Sequence, residues 1–194
     1  MLFRSELVRA MRGRPGQISC GATTSGYESP DLAQSMFLTC AKVRADERPS
    51  PVGGGARVVA VLGRDLAFGF VNMHDAIAMY RGGAIRVLAV SGPTRVPELP
   101  AVPTFTEEGY DVTIGIWRAL AVPKRTPWPI VGRLSSALQQ ALANQSLQAE
   151  ISGLGQSMVY RDAAAMQQFV RNEYTEFGTL FTALGKNIRS KTAG

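Results

Sequence analysis

The sequence is poor in cysteine and nearly devoid of imidazole. It has two cysteines, Cys20 and Cys40, and one histidine, His74, in 194 residues. Two thiols are too few for a disulfide framework, and nothing near either offers metal-ligand spacing. Each is expected to pack as a small apolar group, with a single bridge between them left open. No apolar run approaches the length of a membrane span. The first residues, Met1-Leu2-Phe3-Arg4-Ser5-Glu6, hold neither an apolar core nor a small-residue cleavage site, so no signal peptide is expected and the chain as written would stay in the cytoplasm. Catalytic patterns are missing as well: there is no Ser–His–Asp order, no metal cluster and no convincing carboxylate pair. These gaps argue against an enzyme, and no cofactor is implied.

Lys and Arg number 21 and Asp and Glu 15, a formal net charge of +6. Such an excess suits nucleic acid, an anionic surface or an anionic ligand. The basic residues are scattered, however. The densest groups are Arg9, Arg12, Arg14 and Lys186, Arg189, Lys191, and neither is interleaved with aromatics. A solvated surface is the better reading, and nucleic acid is not an expected partner.

Hydrophobic residues make up 45% of the chain, as in an ordinary globular protein. A helix over residues 5–12 is opened by Ser5 and closed by Gly13, with Pro15 beyond it. Residues 17–20 suit a short strand running into Gly21-Ala22-Thr23-Thr24-Ser25-Gly26. Ser29-Pro30 predicts a capped helix start, with Leu32, Met36, Phe37 and Cys40 on one face. Residues 44–51 are polar and proline-containing; after Gly53-Gly54-Gly55 the run with Val58, Val59, Val61 and Leu62 predicts a helix ending at Gly63, its β-branched residues leaving a strand open. Strands are predicted over 66–71 and 85–90, with a helix over 74–80 between them. Thr104 and Glu107 have capping-box spacing ahead of a short helical turn ending at Gly109. A strand over 116–122 precedes Thr126-Pro127, which reads as a cap and proline opening a helix that runs to Ala143. A short helix over 147–151, a strand over 157–160 and a long helix capped by Asp162 complete the chain. Short apolar strands alternating with helices predict an α/β fold with a largely parallel sheet.

Several segments, in order, resemble a known family. They are Arg14-Pro15-Gly16-Gln17-Ile18-Ser19-Cys20-Gly21 with Leu32-Ala33; Arg86-Val87-Leu88-Ala89-Val90 with Arg95; Leu99-Pro100-Ala101-Val102-Pro103-Thr104 with Glu107 and Gly109; and Trp117, Leu120, Pro123, Thr126-Pro127, Ile130-Val131 and Leu134. Gly153-Leu154-Gly155 and the final helix continue in step. Together they are similar to the carboxylate-binding solute receptors of tripartite tricarboxylate transporters, periplasmic proteins of the Bug type. The resemblance runs from about Ser5 to Gly185. It implies a type II periplasmic-binding-protein fold of two lobes with a ligand cleft between them. Residues 1–115 would be the second lobe and 116–194 the C-terminal part of the first. The secretion signal and the rest of the first lobe would be lacking. The implied partners are a small organic acid and the transporter's membrane subunits.

A carboxylate is well held by backbone N–H groups, helix N-termini and small hydroxyls, because helix dipoles place partial positive charge there. Two segments offer these groups. The first is the loop ahead of Ser29, from which the resemblance carries over Thr23, Thr24, Ser25 and Gly26. Tyr27 and Glu28 depart from the family's loop, and an acid beside an anion site opposes binding. The second is Phe70-Val71-Asn72 at a strand end, where ligands sit in open α/β sheets. Asn72 offers one amide donor to a carboxylate and equally a cap for the next helix. His74 reads as a surface or capping residue. Trp117 reads as a core position more readily than a cleft wall. Residues 49–55 lack the Tyr and Lys of the family's corresponding run, and Gly53–Gly55 is not a phosphate loop because no Gly-Lys-Ser/Thr follows. Two other readings stand beside a receptor: a shortened relative that no longer transports, either an inert remnant or one that pairs with itself, and an α/β enzyme or sensor sharing the fold.

Overall fold

The computed structural model describes residues 3–23, 28–50, 53–156 and 158–185. Helix α1 (Phe3–Gly13) leads through a turn to strand β1 (Ser19–Ala22), helix α2 (Ser29–Ala41) and strand β2 (Asp46–Pro49). Helices α3 (Gly54–Leu62) and α4 (Met73–Arg81) follow, then a 3-10 turn at Thr106–Glu108. Helices α5 (Trp128–Leu142), α6 (Gln145–Gly153) and α7 (Ala163–Ala183) end the described elements. The chain divides into two compact units. One is Met1–Ile116 with Gly153–Gln156, and the other is Trp117–Ser152 with Ser157–Gly194.

The first unit is built on parallel pairing. Strands β1 and β2 run parallel with Ser19 opposite Asp46 and Ala22 opposite Pro49. Proline is tolerated at this last pair because it ends the strand. Phe68 adds a single parallel bridge to Cys20, and Val90 a single one to Thr104. The α/β class with parallel pairing therefore holds, but the strand expectations need correction. Residues 66–71 and 85–90 each pair at one residue only, so the apolar runs pack without laddering. Residues 44–51, which read as polar connection, supply β2 instead: Asp46 N donates to Ile18 O at 2.9 Å and Ser50 N to Ala22 O at 2.9 Å. Asp46-Glu47-Arg48-Pro49 shows no apolar alternation because neither of its faces is fully buried.

The core beneath these strands joins Val8 and Met11 of α1, Cys20 of β1, Ala33 and Phe37 of α2, Phe68, Phe105 and Val112. Its centre is aromatic. Phe37 lies 5.4 Å from Phe105 and 5.4 Å edge-on to Tyr110, and Phe70 stacks on Phe105 at 5.7 Å. Burying one such ring contributes roughly 2–3 kcal/mol, so this cluster accounts for much of the unit's cohesion. A smaller cluster forms around Ile77, Leu99 and Val102.

Between them lies a polar clasp. Thr104 N donates to Glu107 Oε2 at 2.9 Å, and Glu107 N donates to Thr104 Oγ1 at 3.1 Å, the reciprocal bonds of a capping box. Arg95 Nε donates to both Glu107 oxygens, at 2.9 and 3.0 Å, while its Nη1 donates to Pro100 O at 3.0 Å. Gly109 closes the turn at φ 82°, where a side chain would be strained.

In the second unit, helices α5 and α6 bury no residue and α7 buries Phe181. Residues 116–122 and, of the strand expected over 157–160, the described residues 158–160 form no strand, residue 157 lying outside the described residues. Leu120 is 70% exposed and Val159 67%. Their β-propensity has no neighbouring backbone to pair with among the described residues, and propensity alone does not make a strand. Trp117 is likewise not core: it is 39% exposed, its indole donates to Glu173 Oε2 at 2.8 Å, and its ring meets Phe169 edge-on. Asp162 caps α7 as its sequence position suggests, accepting from Ala165 N at 2.8 Å. Two other predicted caps shift. The N-cap of α2 is Glu28 and that of α5 is Pro127, neither with a side-chain capping bond.

Both cysteines are free. Cys20 is buried as expected, but Cys40 is exposed, its Sγ directed at Asp111 O at 3.4 Å. Burial, reinforced by the carboxylates of Glu47 and Asp46, pushes the Cys20 thiol up to about 12. At pH 8 a thiol reagent is therefore expected to label one equivalent in the folded protein, at Cys40, and two after unfolding in urea. Mass spectrometry of the labelled peptides would reveal any fast modification of folded Cys20, which would contradict this packing.

A buried arginine at the candidate carboxylate site

The loop ahead of α2 and the segment ahead of α4 are the two places where the sequence suggests anion-binding groups. Thr24, Ser25 and Gly26 lie outside the described residues. Thr23, at the end of β1, is buried, and its side chain points into the protein. Its N–H donates to Asp31 Oδ1 at 3.3 Å and its hydroxyl to Asp31 Oδ2. Asn72 is half-buried and is the N-cap of α4. Its carbonyl accepts from Asp75 N at 3.1 Å, but its side chain makes no capping bond. An amide at this position is thus not committed to closing the helix.

Arg57, on α3, joins the two segments. Its side chain is fully buried, with 0% exposure. Nη2 donates to Asp31 Oδ1 at 2.6 Å, and Nη1 donates to Phe70 O at 2.9 Å. Asp31 sits in the first turn of α2, where the helix dipole favours a negative charge. Phe70 precedes Asn72 by two residues. One guanidinium therefore connects the start of α2, the body of α3 and the approach to α4. Gly21 makes room for it. A Cβ there would stand 3.4 Å from Arg57 Cγ, 3.2 Å from Ser50 Cβ and 3.0 Å from a Leu66 methyl. The space this glycine leaves is filled by protein side chains.

Two features leave the site electrostatically unfinished. Among the described residues, Arg57 Nε is buried without a hydrogen-bond partner. Glu28, the N-cap of α2, brings Oε2 to 3.7 Å from Arg57 Nη2, an ion-pair distance beyond hydrogen bonding. Beside Asn72, His74 Nδ1 is 3.0 Å from Gln156 Nε2 and its Nε2 is 3.7 Å from Asp75 Oδ1. Asp75 lies against Gly54 in the first turn of α3, where a Cβ would collide with its carboxylate. Among the described residues no group of His, Cys, Asp and Glu could hold a metal ion. Sequence reasoning missed Arg57, Asp31 and the charge link between them. The available signal was a lone arginine in the otherwise apolar helix Gly-Gly-Ala-Arg-Val-Val-Ala-Val-Leu, which requires a buried counter-charge or a path to water.

Removing one partner of a buried pair leaves an uncompensated charge, at a cost of about 3–5 kcal/mol, whereas removing both together costs far less. Arg57→Met and Asp31→Asn are each expected to lower stability strongly in urea titrations, and the double variant less than the sum of the two. Strict additivity would show that the pair is not coupled.

The model of the tripartite tricarboxylate transporter family receptor matches residues 4–186. BugT of Bordetella pertussis is 24% identical over 184 residues, which is 94% of this chain and 56% of that protein. Among solved structures, the periplasmic binding protein BugD superposes with a TM-score of 0.82 at 27% identity, over 93% of this chain and 61% of that one. The R. palustris protein Rpa4515 with adipate gives 0.84 at 22% identity, over 93% and 60%. The chain thus spans little more than half the length of the relatives it matches and shares the periplasmic-binding-protein fold over that part. The family is one of receptors and not of enzymes, and this chain, matched along nearly its whole length, belongs to the tripartite tricarboxylate transporter receptor family.

Proposed function

We propose that the protein binds a small organic carboxylate as the solute receptor of a tripartite tricarboxylate transporter, handing it to membrane subunits from the periplasm. The observation that carries this reading is the Arg57 bridge. It sets the start of α2 and the approach to Asn72 at fixed positions, as a site for a small anion needs. Thr24, Ser25 and Gly26, with Thr23 at their root, and Asn72 would supply neutral donors from the two segments. Residues 1–115 would be the family's second lobe and 116–194 the C-terminal part of its first. The adipate of the R. palustris relative supports a dicarboxylate as the ligand class.

A second reading has one observation in its favour. In the second unit Trp128 is 69% exposed, Ile130 49% and Leu134 45%, all on α5. Apolar side chains so placed suit self-association of a non-transporting relative. Sedimentation at rising concentration separates the two readings, a persistent monomer of 20.8 kDa arguing against the second.

For the receptor reading, a thermal-denaturation screen against adipate, succinate, citrate and acetate at low salt is the direct test. Ligand at 100-fold over Kd stabilises by about 2.7 kcal/mol, which for a chain of this size raises Tm by roughly 5–10 °C. The shift should appear with some of these acids and shrink in Asn72→Ala and Thr24→Ala. Cooperative melting that no carboxylate moves would overturn the proposal.

A further inference from the structure

The environment of Arg57 is more than a structural clasp. A guanidinium has five N–H donors. Two are engaged by Asp31 and Phe70 O, and the Nε proton has no acceptor among the described residues. The Glu28 carboxylate stands 3.7 Å from Nη2, too far to be a hydrogen bond. The two carboxylates facing Arg57 differ in freedom. Asp31 is 3% exposed and bound also by Thr23, so it is fixed; Glu28 is 34% exposed and makes no capping bond, so it can leave. Glu28 is also an unusual N-cap, a position that favours the shorter Ser, Thr, Asp or Asn. A buried, under-bonded cation beside a helix N-terminus, attended loosely by one partly exposed carboxylate, has the properties of an anion site holding a weak occupant of its own.

We propose that Arg57 is a specificity-determining donor for the ligand's carboxylate, and that Glu28 is a built-in competitor displaced when the ligand binds. This rests on the carboxylate-receptor reading and deepens it. An incoming carboxylate forms charge-assisted hydrogen bonds that Glu28 at 3.7 Å does not make. Displacement sends the Glu28 side chain into water, so binding is weakened by whatever that internal pair is worth. For a partly exposed pair this is at most a modest amount, about fivefold in affinity. Neutral ligands gain nothing from the exchange, and the site selects for anions.

The test compares the full chain with Glu28→Gln, which keeps shape and removes the charge. Glu6→Gln, at an exposed position on α1, makes the same change in net charge elsewhere. Affinities for adipate and for its neutral diamide are measured by titration calorimetry. Glu28→Gln is expected to bind adipate about fivefold more tightly than the parent, with Glu6→Gln unchanged and the diamide unaffected by either. Adipate binding by Glu28→Gln alone, with none by the parent, would also support the proposal. Unchanged or weaker adipate binding by Glu28→Gln, beside a parent that binds, would overturn it and leave the receptor reading standing. Equal gains for the diamide, equal gains in Glu6→Gln, or no binding by either parent or Glu28→Gln would overturn it as well.

Discussion

The Arg57–Asp31 pair is the constraint on which the first unit depends. A guanidinium held at 0% exposure is tolerable only if its charge is matched at close range, and the 2.6 Å contact supplies that match. The geometry that satisfies it is narrow. Helix α3 must run beneath β1 with Gly21 over the arginine stem, α2 must begin where Asp31 faces inward, and Phe70 must turn its carbonyl toward Nη1. Thr23 then becomes a buried hydroxyl, because Asp31 needs acceptor bonds filled on the side away from Arg57. Four segments between residues 21 and 70 thus meet at one guanidinium. Apolar packing around Phe37 supplies more free energy, but it is non-directional and does not select this arrangement over others.

The clasp at Arg95, Thr104 and Glu107 works on a different principle. Its ion pair is exposed, and such pairs contribute little alone. What gives it shape is the sharing of Glu107, whose carboxylate accepts from Arg95 and from Thr104 N at once, while Leu99 and Val102 enter the core on either side. The run Leu99-Pro100-Ala101-Val102-Pro103-Thr104 therefore reads physically as two anchors and a capping box. The part of the family resemblance that this segment carries is therefore structural.

What was legible in the sequence follows the same division. Helices were found because their signals are local: Asp162 ahead of α7, glycines after α3 and α4, the spacing of Thr104 and Glu107. Strands were less legible because a strand is a relation between segments. The apolar runs 66–71 and 85–90 touch their neighbours at one residue each, while the polar β2 pairs fully with β1. Thr23 and Asn72 could be named from a loop pattern and a helix start. Arg57 could not be attached to them, since nothing local says that α3 lies across the ends of both. Glu28 was recognised as an acid opposed to anion binding, but its relation to a buried cation needed the fold.

That relation bears on the anion affinity proposed for this site. Counting only the groups within ion-pairing distance, two carboxylates face one guanidinium, a local balance of −1 despite the chain's formal +6. Long-range attraction from scattered surface cations is screened within about 10 Å at ordinary ionic strength and cannot overcome a carboxylate at contact. Neutral donors on a loop and a helix end would have to hold the ligand against that field. If Glu28 withdraws, the balance at Arg57 becomes neutral and the helix dipole is left to act on the ligand unopposed. Selectivity then comes from an exchange of like for like, in which the ligand must resemble the side chain it replaces: a carboxylate on a short flexible stem.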